Sequence, residues 1–198
     1  GFNNKGVDHL VKRLKKRKNN IIVGTSIVKN FNTPNELAYE DYLLCLKKVY
    51  EFSDYIAVNI SSPNTDSLRE LSNEENLKIL LSKIKSMQES LSDLYGYKPI
   101  FIKLSPDEEL ENLKLICNSI LRHKLDGIIC SNTTEDHQDL NGKGGLSGTP
   151  LKTKATHKLL FIKNIVSNQV PIIASGGVMS ASSYKEKIDA GADLVQVY

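Results

Sequence analysis

Short β-rich runs alternate with long helical runs along this sequence, and no strand-turn-strand hairpin signal interrupts the alternation. The β-rich runs are Ile21–Ile27, Tyr55–Ile60, Pro99–Leu104, Gly127–Ser131, Pro171–Ser175 and Leu194–Tyr198. Strands separated by helices must be joined by crossovers, which makes them parallel and the fold α/β. Ile100-Phe101-Ile102 and Ile172-Ile173-Ala174 are apolar without alternation, as expected of strands buried on both faces. The helices between them have readable starts. Thr33-Pro34-Asn35-Glu36 has the form of a capping box with Pro at the first helical position, and Ser72…Glu75 and Ser105…Glu108 repeat the box. Leu77, Leu80, Leu81, Ile84, Met87 and Leu91 then recur at helical spacing, as do Leu110, Leu113, Cys117, Ile120 and Leu121.

Two architectures satisfy this pattern: an open doubly wound sheet and an eight-stranded TIM (β/α)8 barrel. The strand count alone does not separate them. The end of the chain favours the barrel, because Ile172-Ile173-Ala174-Ser175 runs into the turn Gly176-Gly177, followed by a short helix, Gly191-Ala192-Asp193 and a last strand. Barrels often bind phosphate at the loops after strands seven and eight. On that alignment the visible strands are three to eight of a truncated barrel. Residues 1–198 are then a single partial barrel domain, with the first two strands and the C-terminal helix missing.

Composition narrows the function. The chain has 198 residues, 40% hydrophobic and 25% charged, enough for one sizeable core and too few for two. A net charge of +3 is too small to argue for nucleic acid or another acidic polymer. The basic run Lys12 to Lys18 overlaps apolar residues at Val7, Leu10, Val11 and Leu14, and reads as the solvated face of an amphipathic helix. Cys45, Cys117 and Cys130 are isolated within apolar runs and read as buried free thiols. Neither CxxC nor HxxxH spacing occurs, so no metal site is expected. No apolar run approaches the ~20 residues of a membrane span.

Active residues of a barrel gather at the C-terminal ends of its strands. Here those ends carry Asn59-Ile60-Ser61-Ser62-Pro63-Asn64-Thr65, Lys103, Ser131-Asn132-Thr133-Thr134, Gly144-Gly145-Leu146-Ser147-Gly148 and Ser175-Gly176-Gly177. Taken singly, a Ser-Pro-Asn-Thr stretch is usually a turn, a late-strand lysine usually reaches solvent, and a glycine loop is usually only a loop. Their recurrence at one end of successive strands is what points to a pocket for a ligand with many hydrogen-bonding edges and a phosphate. Carboxylates and histidines are absent from these ends, which disfavours glycosidase chemistry and a Ser-His-Asp triad.

Six segments in order resemble the motifs of class 2, quinone-dependent dihydroorotate dehydrogenases. They are Gly1-Phe2-Asn3-Asn4-Lys5-Gly6, Asn59 to Thr65, Lys103-Leu104-Ser105-Pro106-Asp107, Asp126 to Thr134, Gly144 to Gly148 and Leu194 to Tyr198. The resemblance implies oxidation of dihydroorotate to orotate in pyrimidine synthesis, with FMN as cofactor and a quinone as final acceptor. It implies that Ser62 takes a proton from C5 while hydride leaves C6 for the flavin. Class 1 relatives have Cys at that position, and a free serine needs activation to act as a base. Thr65 and Phe2 match residues of the proton path and its shielding. Gly1, Phe2, Asn59, Asn64, Asn132 and Thr133 match the substrate site. Lys103 matches the lysine beside the flavin pyrimidine ring. Ser26, Asn59, Ser131, Gly148, Gly177 and Tyr198 match further flavin contacts, Gly177 and Tyr198 near the phosphate.

Two departures stand out: Ser26 and Val28 replace an Asn and a Gly common in the family, and a β-branched Val28 is expected to stiffen or crowd that strand end. Ser131 replaces the usual Thr. The resemblance further implies peripheral association with a bacterial inner membrane, on its cytoplasmic face, or with the mitochondrial inner membrane, through an N-terminal part that this sequence lacks. The competing readings are another FMN-dependent barrel oxidoreductase and a non-catalytic phosphate- or flavin-binding barrel relative.

Overall fold

The computed structural model describes residues 4–18, 21–61, 74–137 and 144–198. Six parallel strands form one sheet, β1 (Gly24–Ile27), β2 (Tyr55–Asn59), β3 (Ile100–Leu104), β4 (Gly127–Cys130), β5 (Ile172–Ser175) and β6 (Leu194–Gln196), paired in the order β1-β2-β3-β4-β5-β6. A doubly wound sheet reverses its strand order part-way. This one never does, so every crossover adds its helix to the same face, which is the construction of a barrel wall. The helices are α1 (Val7–Leu14), α2 (Ala38–Val49), α3 (Glu74–Tyr95), α4 (Leu110–Arg122), α5 (Lys152–Val166) and α6 (Ala181–Asp189), and each packs on the next.

The two faces of the sheet sort cleanly. Ile56, Val58, Ile100, Ile102, Leu104, Ile128, Cys130, Ile172 and Ala174 join the helices in the main core. The helices meet them with residues three and four apart: Ala38, Tyr42, Leu46 and Val49 from α2, Leu113, Ile116, Cys117 and Ile120 from α4. The intervening strand residues Ala57, Phe101, Ile129 and Ile173 form a second, smaller cluster on the inner face. Burial pushes the thiols of Cys117 and Cys130 up to about 12, so both stay protonated near neutrality. Cys45 is only half-buried, contrary to the expectation of three buried thiols.

Register is held at the N-terminal end of the sheet by three aspartates that each precede a strand. Asp54 accepts from Val23 N–H at 2.7 Å, Asp126 from Ile100 N–H at 2.7 Å and Asp193 from Ile172 N–H at 2.8 Å. The backbone N–H of each aspartate returns a bond to the carbonyl of the same partner, at 2.8, 3.1 and 2.9 Å. Donors left unpaired where strands begin are thereby satisfied in pairs. Gln88, 0% exposed on α3, completes the middle clamp by donating to Asp126 at 2.6 Å and to the Lys98 carbonyl at 2.9 Å.

Several element boundaries differ from expectation. β1 begins at Gly24, and Ile21 and Ile22 lie outside the sheet, 63% and 76% exposed. β6 ends at Gln196, with Tyr198 98% exposed. Pro34 precedes a single 3-10 turn, Asn35–Leu37, without a side-chain cap. Ser105 instead accepts from Asp107 N–H at 3.1 Å, and Glu109 stands at the start of α4, so neither motif caps its helix. The Ser72…Glu75 box lies outside the described residues in part. A true capping box opens α6, where Ser180 and Ser183 exchange bonds. In α1, Val7, Leu10, Val11 and Leu14 pack partly against the core, Asp8 pairs with Lys48 at 2.6 Å, and Arg17 beyond the helix pairs with Asp54 at 2.7 Å. Among the described residues no helix is long and apolar enough to cross a membrane.

Gly127 faces the inner cluster, where a Cβ would stand 2.5 Å from the Phe101 ring and 2.8 Å from the Pro171 carbonyl oxygen. The ring can shift, but the backbone oxygen belongs to the sheet. Gly127→Ala in the full-length protein is therefore expected to cost about 1–3 kcal/mol. Urea unfolding reads this as a lowered midpoint, and an unchanged midpoint would show that the strand gives way freely.

Candidate functional site

The inner face is apolar low down and polar at the C-terminal end. Ala57, Phe101, Ile129 and Ile173 make the floor, with Tyr55 packed edge-on against Phe101 at a centroid distance of 5.8 Å. Gly24 leaves room for the Tyr55 ring, since a Cβ there would fall 1.9 Å from it. One step of two residues further along the strands come Asn59 opposite Lys103, and Ser175 opposite Gln196. Ser131 follows β4 and donates its N–H to the Ser175 carbonyl at 3.0 Å. Ser26 shares the inner face opposite Ala57, while Val28 packs against the helix-side core.

Three strand ends are stapled by one amide cluster. Asn59 Oδ1 accepts from Ser61 N–H at 3.1 Å and from Asn132 Nδ2 at 3.2 Å. The Ser61 hydroxyl donates to the Lys103 carbonyl at 2.8 Å and accepts from Asn132 Nδ2 at 3.2 Å. Asn132 Oδ1 accepts from Thr133 N–H at 2.9 Å, and Asn132 N–H donates to the Leu104 carbonyl at 2.8 Å. From behind, the buried Tyr42 hydroxyl donates to the Asn59 carbonyl at 2.7 Å. Burial drives that phenol far above its ordinary pKa, so it remains a donor. Lys103 Nζ stands 5.7 Å from the centroid of the Tyr198 ring. Asn59, Lys103, Asn132, Thr133 and Ser131 are thus brought to one end of the sheet. Gly1, Phe2, Ser62, Asn64 and Thr65 lie outside the described residues.

The two glycine loops converge at the same end. Gly148 has a φ of +78° and leads through the turn Thr149–Leu151 into α5. Gly176 and Gly177 have φ of +100° and +71°, and a Cβ on Gly177 would lie 2.3 Å from Lys152 Cα. Only glycine permits both the left-handed backbone and this approach. The loop between β4 and α5 is drawn together by an antiparallel bridge between Thr134 and Leu146, and by His137 Nε2 at 2.6 Å from the Gly144 carbonyl.

Carboxylates do stand at this end, contrary to the sequence reading: Asp107 and Asp136 both pair with Lys154. Asp107, just beyond β3, accepts from Lys154 Nζ at 2.7 Å, from the Thr134 hydroxyl and from Glu135 N–H at 2.9 Å. Burial alone would raise its pKa, but these donors and the Lys154 charge outweigh it and hold the carboxyl below the usual range. It is a brace between loops and has no proton to give near neutrality. Ser61, Ser175, Gln196 and Asp107 lie within segments quoted from the sequence, but no individual role was assigned to them. Strand parity from Asn59 and Lys103 would have found Ser175 and Gln196.

A family model described as "Dihydroorotate dehydrogenase" matches residues 1–198. A "Dihydroorotate dehydrogenase (quinone)" of Aliivibrio salmonicida is 47% identical over 205 residues, covering 100% of this chain and 61% of the relative. One from Actinobacillus pleuropneumoniae serotype 3 is 48% identical with the same coverage. The solved structure of a DHODH in complex with ferulenol, from Eimeria tenella, superposes with a TM-score of 0.88 at 30% identity, covering 100% of this chain and 60% of that one. The chain therefore spans about three fifths of the length of the curated relatives it matches.

The lowered pKa of Asp107 carries a sign. Its contribution to stability is full above the ordinary aspartate value and is lost as pH falls through the lower folded value, a window that opens below about pH 4. Asp107→Asn should remove this component, flattening stability against pH there relative to wild type in urea titrations. Parallel curves for the two proteins would mean that the brace contributes nothing.

Proposed function

Because the chain belongs to the dihydroorotate dehydrogenase family, we propose that this protein oxidises dihydroorotate to orotate in pyrimidine synthesis, with FMN as cofactor and a quinone as final acceptor. The observation that carries this reading is the amide cluster of Asn59, Ser61 and Asn132 beside Lys103, above an apolar floor. A planar ring with polar edges suits such a layer, its face on the floor and its edges on the amides. Two further observations support a flavin mononucleotide there. Gln196 Oε1 is buried on the inner face and takes no partner among the described residues, as expected of an atom awaiting a donor. The Gly176-Gly177 turn, left-handed and packed closely on Lys152 where α5 begins, offers glycine backbone of the kind that can wrap a phosphate.

In this reading Ser26, Asn59, Lys103, Ser131, Gly148, Gly177 and Tyr198 hold the FMN. When bound, it supplies the two-electron acceptor for oxidation at C6. Lys103 sets a positive charge beside the ring, favouring negative charge that develops there. Asn59, Asn64, Asn132 and Thr133 bind the edges and carboxylate of the substrate, with Gly1 and Phe2 beside them. Ser62 removes the C5 proton, Thr65 continues the proton path, and Phe2 shields it from water. Residues 1–198 are assigned to one partial barrel domain, completed by strands and a C-terminal helix outside this sequence. Exchange with an apolar quinone is assigned to a membrane surface, reached through a part N-terminal to residue 1, in either a bacterial inner membrane or a mitochondrial one.

Anaerobic mixing of the full-length protein with dihydroorotate tests the reading. The flavin absorbance should bleach rapidly and return on adding a quinone, but not with fumarate or NAD. A flavin that stays oxidised would redirect the assignment to another substrate. Ser62→Ala should retain flavin and slow the bleaching by about 10²–10⁴-fold. An unaltered rate in that variant would remove Ser62 as the base.

A further inference from the structure

Lys187 on α6 is the most enclosed lysine of the described residues, 1% exposed. Its ammonium donates to the Thr156 hydroxyl at 2.6 Å and to the Lys152 carbonyl at 3.1 Å, both on the opening turns of α5. Thr156 also lies 2.7 Å from Glu186 Oε1, and Glu186 Oε2 pairs with Lys152 Nζ at 2.7 Å. Two ammonium groups and one carboxylate therefore surround the start of α5. The main chain of Lys152 is also what Gly177 lies against, while Gly176 meets Leu151 and Ala155. A single residue thus stands between the buried ammonium and Gly177.

We propose that Lys187 is a positioning residue for a phosphate monoester: it locks the start of α5 against the Gly177 turn and supplies that double loop with unscreened positive charge. This rests on the reading that Gly148 and Gly177 receive the phosphate of FMN. Hydrogen bonds to one carbonyl and one hydroxyl could be made by a neutral side chain. Burying a full charge is costly unless something anionic rewards it. Glu186 is a weak candidate for that reward, because its side chain is 35% exposed, is engaged by Lys152 and is screened by solvent. Burial also draws the Lys187 pKa below that of a free lysine, with Glu186 acting in the opposite sense. An anion at the Gly177 turn would be separated from the ammonium by Lys152, across protein and not bulk water, where attraction is stronger.

The test compares two flavins that differ only in the phosphate. Full-length protein stripped of its flavin is titrated with FMN and with riboflavin, following flavin fluorescence, in wild type and Lys187→Met. FMN affinity should fall about tenfold in the variant, which is about 1.4 kcal/mol, while riboflavin affinity is unchanged. Equal losses for both flavins would reduce Lys187 to a structural anchor and overturn the proposal, as would no loss at all. Should Lys187→Met fail to fold, Lys187→Gln removes the charge while keeping a donor, and the same comparison decides. Wild-type protein that binds neither flavin would overturn the flavin reading itself, and this inference with it.

Discussion

Everything at the functional end of this sheet depends on strand register, and register is secured at the opposite end by paired aspartate bonds. A slip of one residue exchanges the two faces of a strand. In β2 it would send Asn59 into the helix layer and Val58 inward, and in β3 it would turn Lys103 into the helix-side core. Asp54, Asp126 and Asp193 oppose such slips by taking one N–H from the adjacent strand's beginning and returning another. They recur before every second strand, so each of the pairs β1-β2, β3-β4 and β5-β6 has its own clamp.

With register held, chemistry follows from parity. Outward residues are apolar where they meet helices, with Thr25 the exception, its buried hydroxyl 2.6 Å from that of Ser53. Inward residues change from apolar to polar over a single step, Ala57 to Asn59, Phe101 to Lys103, Ile173 to Ser175 and Leu194 to Gln196. That step sets a floor and a hydrogen-bonding layer at adjacent heights. The floor itself needs two glycines, Gly24 and Gly127, because Tyr55 and Phe101 occupy space that a Cβ would fill.

The alternation of strands and helices was legible because it is written in long periodic runs, and the polar strand ends were legible as motifs. Caps and strand ends were less so. Thr33 and Ser105 have the composition of caps, yet the backbone beside them turns differently and helix α4 starts later, at Leu110. The cap that forms, Ser180 with Ser183, uses two serines and lacks the expected carboxylate. Ile21 and Ile22 read as strand by propensity, which says nothing of whether a neighbour is present to pair with. Asp54, Asp126 and Asp193 showed a repeated signal, an aspartate directly before a β-rich run, but its meaning is an interaction across strands. Asp107 is legible as part of a motif, and only the fold reveals that Lys154, distant in sequence, claims it.

Lys154 also reaches Asp136 at 3.2 Å, so a single ammonium ties the loop after β3, the loop after β4 and helix α5. Evolution cannot easily retouch one of these loops alone. A replacement at Asp107 costs Lys154 its shorter ion pair and the Thr134 hydroxyl its acceptor, and a replacement at Lys154 takes that counter-charge from both carboxylates, so joint change is the easier path. The historical freedom of this pocket is then narrower than its count of loop positions suggests, because several of them form a single inherited character.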